Sequence, residues 1–124
     1  MEDKGAKNIH LTDESNEFAD LLIEKGFFAM KEEAFRLGFA IALGLDPDTD
    51  EFTKEKKDKN IRESGKMDEN QNLSFLIQKL SSKHHDKVHT RMQNLGDKGL
   101  RILKQSYWDG ETINWKELKK DLNN

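Results

Sequence analysis

Apolar positions along this chain fall into two groups separated by a long polar stretch. From Lys7 to Thr12 they alternate, with Ile9 and Leu11 on one side and Asn8, His10 and Thr12 on the other. That is the period of a short, half-buried strand. Thr12, Asp13 and Ser15 then offer capping side chains, with acidic residues where a helix N-terminus favours them. Phe18, Leu21 and Leu22 follow at the spacing of an amphipathic helix that Gly26 ends, and Phe27 and Phe28 are expected to pack in the turn. A second helix is predicted from Met30 or Lys31 to about Leu43, with Gly44 and Pro47 as stop signals. Its charges, Lys31, Glu32, Glu33 and Arg36, all lie in the first two turns. Beyond them Ala34, Phe35, Gly38, Ile41, Ala42 and Leu45 form one stripe, while Leu37, Phe39 and Leu43 point elsewhere. A helix that is apolar on more than one face must be buried on more than one face. The first helix is too small to do this alone, which predicts a homodimer or docking on a larger protein complex.

The segment from Asp46 to Asn72 holds only Phe52, Ile61 and Met67 as sizeable apolar residues among charges of both signs. It reads as a solvated linker, with at most a transient helix around Glu51 to Glu63. From Leu73 the spacing of Leu76, Ile77, Leu80, Val88, Met92 and Leu95 predicts one long helix ending near Gly96. Leu100, Ile102 and Leu103 mark another, Trp108-Asp109-Gly110 is turn chemistry, and Ile113, Trp115, Leu118 and Leu122 suggest a short closing helix. The expected fold is therefore mainly α. A strand and two helices form a dimerisation module at 1–46, a polar linker spans 47–72, and a basic helical segment fills 73–124.

Charge sharpens this division. The total is −3, yet residues 1–45 carry five Lys/Arg against nine Asp/Glu, and residues 73–124 carry ten against six. General attraction to nucleic acid is thus expected mainly from the C-terminal part. With 124 residues, 34% hydrophobic and 36% charged, the core must be modest, and self-association or docking would help to stabilise it. The absence of cysteine excludes disulfides and thiolate sites. MEDKGAKN shows no signal-peptide pattern, and LGFAIALGL at 37–45 falls short of the roughly 20 residues of a spanning helix. The expectation is a soluble cytoplasmic protein with no membrane contact.

In its order of strand, turn and two helices, the stretch NIHLTDESNEFADLLIEKGFFAMKEEAFRLGFAIALGL resembles the ribbon-helix-helix proteins, DNA-binding dimers that include repressors and antitoxins. The resemblance implies that two strands pair across a dimer and place outward side chains in the major groove. By position Asn8, His10 and Thr12 would touch bases, an asparagine and a hydroxyl being competent readers of base edges. Ile9, Leu11, Phe18, Leu22, Phe35, Gly38, Phe39, Ile41 and Ala42 would form the dimer or partner interface. At the start of the second helix Ala29-Met30 stands where that family usually has a small hydroxyl residue whose backbone amides hold a phosphate, and Glu32 and Glu33 follow. KEEAFRLGFAIALGLD and GDKGLRILK are in addition similar to small accessory proteins encoded beside bacterial DNA phosphorothioation systems. That likeness points to a DNA-modification or antiviral defence setting.

Lys79, Lys83, Lys87 and Arg91 recur every four residues, with Lys98, Arg101 and Lys104 following. On one helix they would line up to meet a phosphate backbone or an acidic partner, or simply form a solvated face. Trp108 and Trp115 suit base stacking and, more simply, anchoring a small core. His85 and His89 have a zinc-compatible spacing, with His84 adjacent, but no Glu completes an H-E-x-x-H pattern. Asp46, Asp48 and Asp50 begin like a calcium loop, which Glu51 at its sixth position and Lys57 at its twelfth then contradict. No metal, cofactor or catalytic residue is expected, since no P-loop, G-x-G-x-x-G or G-x-S-x-G motif occurs. The predicted role is that of a non-enzymatic DNA-associated protein in transcription regulation or defence. The alternative is an adaptor that docks through its apolar second helix and binds no nucleic acid.

Overall fold

A computed structural model describes residues 3–124. The elements in order are β1 (Asn8–Leu11), α1 (Asp13–Glu24), α2 (Lys31–Leu45), β2 (Lys59–Glu63), α3 (Ser64–Met67), α4 (Asn72–Leu80), α5 (Val88–Ser106) and α6 (Trp115–Leu122). The protein is mainly helical, with one two-stranded antiparallel sheet, and none of these helices is long and apolar enough to cross a membrane.

Strand β1 and helices α1 and α2 lie where the hydrophobic pattern predicts them. Thr12 caps α1, its Oγ accepting from the Ser15 N–H at 3.3 Å, and the chain leaves that helix through Gly26 at φ +83°. At the start of α2 the Glu33 carboxylate turns back to accept from the Ala29 and Met30 N–H groups, both at 3.0 Å. That is the return half of a capping box, made here without a hydroxyl at the N-cap.

The two apolar faces of α2 are covered within one chain. Ala34 and Ile41 face a cluster with Phe18, Leu22, Leu100, Leu103, Tyr107 and Leu118. Phe35, Phe39, Ala42 and Leu43 face a second one with Ile9, Met67, Ile77, Val88, Met92 and Leu95. Helix α5 contributes to both, and its packing on α2 is the most extensive in the molecule. Glycines permit this approach. A Cβ on Gly38 would stand 2.6 Å from the Gly96 carbonyl oxygen, and one on Gly99 would overlap the Gly38 carbonyl. The second helix therefore obtains from residues 88–106 the cover that the sequence assigned to a partner. All nine residues expected at a dimer or partner interface, Ile9, Leu11, Phe18, Leu22, Phe35, Gly38, Phe39, Ile41 and Ala42, are buried here inside a single chain.

Two other expectations change. Residues 47–72 are more than a linker: β2 pairs with β1, Phe52 packs on the second cluster, and Met67 is buried in it. Ser64 Oγ donates to the Ala6 carbonyl at 2.7 Å, tying α3 to the chain that leads into β1. The strand KNIRE carries no alternation of its own, so its partner defines it. The long helix expected from Leu73 to Gly96 is broken at 81–87, and α5 then runs on through Gly96 and Gly99 to Ser106. Ser81, Ser82 and Asp86 favour turns over helix interiors. Bonds from Ser81 Oγ to the Pro47 carbonyl, from Ser82 N to Asp48 Oδ1, and between the Gln78 amide and the His85 backbone hold the break in place.

Near the C-terminus Asp109 Oδ1 accepts from the Glu111 and Thr112 N–H groups, and the Trp108 indole lies edge-on to Phe18 and Phe27, each 5.6 Å away. Trp108 is the core anchor expected of it. Trp115 remains about half exposed. Tyr107 donates to Asp121 Oδ2 at 2.6 Å, and that bond together with burial pushes its phenol up to about 12.

Candidate nucleic-acid interface

The β1–β2 ribbon has a buried face and an open one. Ile9 and Leu11 are fully buried beneath it, which turns Asn8 and His10 to the other side. His10 pairs with Asn60 and Asn8 with Glu63, while Ile9 pairs with Arg62, leaving Ile61 as the extra residue of a bulge. Residues opposite one another in a ribbon share a face, so Asn60 and Glu63 join Asn8 and His10, while Arg62 and Lys59 lie opposite Ile9 and Leu11. A shallow depression of about 350 Å³ lies here, lined by Asn8, Asn60, Ile61, Arg62, Glu63 and Lys66.

Around this face the chain is basic. Residues 54–66 hold six Lys/Arg against three Asp/Glu. Three of these cations pair loosely with acids: Lys59 with Asp13 at 3.6 Å, Arg62 with Glu32 at 3.7 Å and Lys66 with Glu63 at 3.8 Å. The Lys59 and Lys66 pairs are solvated and contribute at most about 1 kcal/mol each, so a phosphate can replace the carboxylate there at little cost, whereas Glu32, 14% exposed, holds Arg62 more closely. Of the three base-reading residues expected from the sequence, Thr12 is misplaced. It is fully buried, and both its N–H and its hydroxyl donate to Asp97 Oδ1, at 2.8 and 2.9 Å. The end of the strand turns inward there because Thr12 is the cap of α1.

The expected basic row is dispersed. Lys79 lies on α4, Lys83 in the connection after it and Lys87 just before α5, so these three do not share a helix with Arg91, Lys98 and Arg101. Most of the row is engaged within the chain. Lys83 and Arg91 meet Asp50 at 3.3 and 3.4 Å, Lys87 meets Asp3 at 2.8 Å, and Arg101 meets Glu55 at 3.0 Å and Glu14 at 3.3 Å. Arg91 is itself buried and donates to the Pro47 carbonyl at 2.8 Å. Lys98 donates to Thr49 Oγ and to the Glu51 carbonyl, both at 2.7 Å. Lys79 has no ion-pair partner among the described residues.

The histidines do not converge. His84 faces Asp86 at 3.4 Å in solvent, His85 sits in the 81–87 connection, and His89 lies in the first turn of α5. Desolvation is the main cause that lowers the His85 and His89 pKa values, with Arg91 and Lys83 adding to it at His85 and Lys4 at His89. Among the described residues no group of three His, Asp or Glu side chains is placed to hold a metal ion. Asp48 and Asp50 are drawn to Ser82 and Lys83 instead.

Comparison with protein-family models, curated proteins and solved structures finds no match for this chain. The residues around this face that the sequence reading did not single out are Lys59, Asn60, Arg62 and Lys66. Their one visible signal was the density of cations in 54–66, obscured because the acids at 46–51 offset it in any count over the whole segment.

Proposed function

We propose that this protein is a non-enzymatic, DNA-associated accessory protein of the cytoplasm, acting in regulation or in DNA-linked defence, and that it engages duplex DNA through the open face of its β1–β2 ribbon. The observation that supports this reading is the row Asn8, His10 and Asn60 on one face, the first two half-buried and Asn60 exposed, with Glu63 as the one acid of that row and Lys59, Arg62 and Lys66 as the cations beside it. A two-stranded ribbon fits the major groove, and asparagine can bond bidentately to adenine. The ribbon here comes from one chain, so a single copy presents the whole reading surface. Selection from a randomised duplex pool is expected to enrich a motif. Asn8→Ala/His10→Ala/Asn60→Ala is expected to bind the enriched duplex at least about tenfold more weakly, at about 1–3 kcal/mol per lost base contact. Failure to enrich any sequence would refute base reading by this face.

A second reading, that of a protein adaptor, is favoured by α4 and not by the covered α2. Phe75 is 63% exposed, Leu80 49% and Leu76 38% on a helix whose one charge is Lys79. Adjacent exposed apolar side chains of this size mark interaction surfaces. If a second copy or another protein docks, Phe75→Asp/Leu80→Asp should abolish the larger species seen by light scattering while the duplex affinity stays unchanged. A wild-type protein that is monomeric at every concentration and lacks a protein partner would remove this reading.

A further inference from the structure

We propose that Lys83 and Arg101, with the charge of the buried Arg91 behind them, form a second phosphate-backbone site, and that the chain masks it with its own acidic strap, residues 46–55, whose Asp50 and Glu55 carboxylates occupy the places of phosphates. The inference rests on the reading of this protein as DNA-associated.

The strap has two layers. An inner layer of backbone and apolar groups docks it on α5: the Pro47 carbonyl accepts from Arg91 and the Glu51 carbonyl from Lys98. The Phe52 ring lies against both cations, 5.8 Å from the Arg91 guanidinium carbon and 5.6 Å from Lys98 Nζ. An outer layer consists of carboxylates alone. Asp50 spans Lys83 and Arg91, and Glu55 lies on Arg101. Arg91, Lys98 and Arg101 are at i, i+7 and i+10, one side of a helix. The segment 46–55 holds five acids against one lysine, opposite a stretch, 83–104, with six Lys/Arg against two Asp.

Exposure decides which layer can exchange. The side chains of Asp50 and Glu55 are 66% and 59% exposed; of the cations beneath them Lys83 is 59% exposed, Arg101 19% and Arg91 only 7%. The carboxylates stand in water and their pairing is screened by salt, so phosphates can take their place at Lys83 and at the outer edge of Arg101 while the inner layer, with Arg91 beneath it, stays docked. The hydrogen bond from Lys83 keeps the Asp50 carboxyl below its ordinary pKa, so it carries its charge at neutral pH. Neutralising the outer layer should therefore unmask Lys83 and Arg101 without releasing the strap.

The test compares Asp50→Asn/Glu55→Gln with Glu17→Gln/Glu117→Gln, which changes the net charge equally at exposed acids that form no ion pair among the described residues. Binding of each to a short random-sequence duplex is measured over a range of salt. The strap variant is expected to bind about tenfold more tightly than the control at low salt. Its log–log salt slope should steepen by about 2, for two further phosphates at ~0.9 each. Equal affinity and slope in the two variants would overturn the proposal, and a gain for heparin without one for the duplex would overturn its assignment to nucleic acid. Should the double variant melt early, Glu55→Gln alone, which leaves Glu14 on Arg101, makes the same comparison against Glu17→Gln. If wild type enriches no sequence yet the strap variant outbinds its control, masking stands and ribbon reading falls. If neither the wild type nor the strap variant binds duplex, both fall.

Discussion

Gly99→Ala is expected to lower stability by about 3 kcal/mol or more, or to prevent folding, although alanine is the better helix former by about 1 kcal/mol. At this position the added methyl would overlap the Gly38 carbonyl and come within 2.7 Å of Gly38 Cα. Both neighbours are backbone atoms, so no rotamer change relieves the overlap. The two helices would have to separate along their whole contact, opening both apolar clusters at once, since α2 and α5 contribute to each. Gly65→Ala is the control, because Gly65 is exposed and a methyl added there would meet nothing within 4 Å. Urea unfolding followed by far-ultraviolet circular dichroism measures both. An unchanged midpoint for Gly99→Ala would show that the helices do not meet backbone to backbone.

Asp97→Ala is expected to cost about 3–5 kcal/mol. Asp97 is fully buried and gathers the junction of β1 and α1 onto α5. Its Oδ1 accepts from the Thr12 N–H and hydroxyl, and its carbonyl accepts from Ser15 Oγ at 3.1 Å. Truncation orphans two buried donors, each costing about 1–3 kcal/mol, and adds a cavity. Asp97→Asn keeps an acceptor toward Thr12 and should lose much less, because the other carboxyl oxygen has no partner among the described residues. Thr12→Val combined with Asp97→Ala should be clearly non-additive, with a coupling of about 1–3 kcal/mol, as expected of groups bonded to each other. Additive losses would mean that Thr12 is held by its role as a helix cap alone. The same geometry explains why Thr12 cannot read bases.

Local pattern was a good guide where one element's own residues carry the information. The alternation of Ile9 and Leu11 marks β1, and the spacing of Phe18 and Leu22 with a threonine cap marks α1. The apolar run of α2 correctly demands burial on two sides. It does not say whose residues supply it, because an apolar stripe is equally satisfied by a second copy or by a distant part of the same chain. Gly96 reads locally as a helix end, and Gly99 carries no local signal. Only the approach of Gly38 from another helix shows them as a contact surface.

The candidate site divides in the same way. Asn8 and His10 were legible because a strand with one buried face must turn its alternate residues outward. Asn60 was not, since β2 has no periodicity of its own and acquires a face only by pairing with β1. The cations from Lys83 to Arg101 were visible as residues, but their neutralisation by Asp50 and Glu55 depends on a chain reversal spanning some 30 to 50 positions. By itself, then, the sequence determined the strand, the first two helices, the need to cover α2 and the supply of cations, all of them properties of neighbours along the chain. Tertiary structure alone decided that α5 covers α2, that the ribbon closes within one chain, and which cations remain open to a ligand. Each of these is a pairing between segments far apart in sequence, and a periodic pattern specifies that a face must be covered without specifying by what.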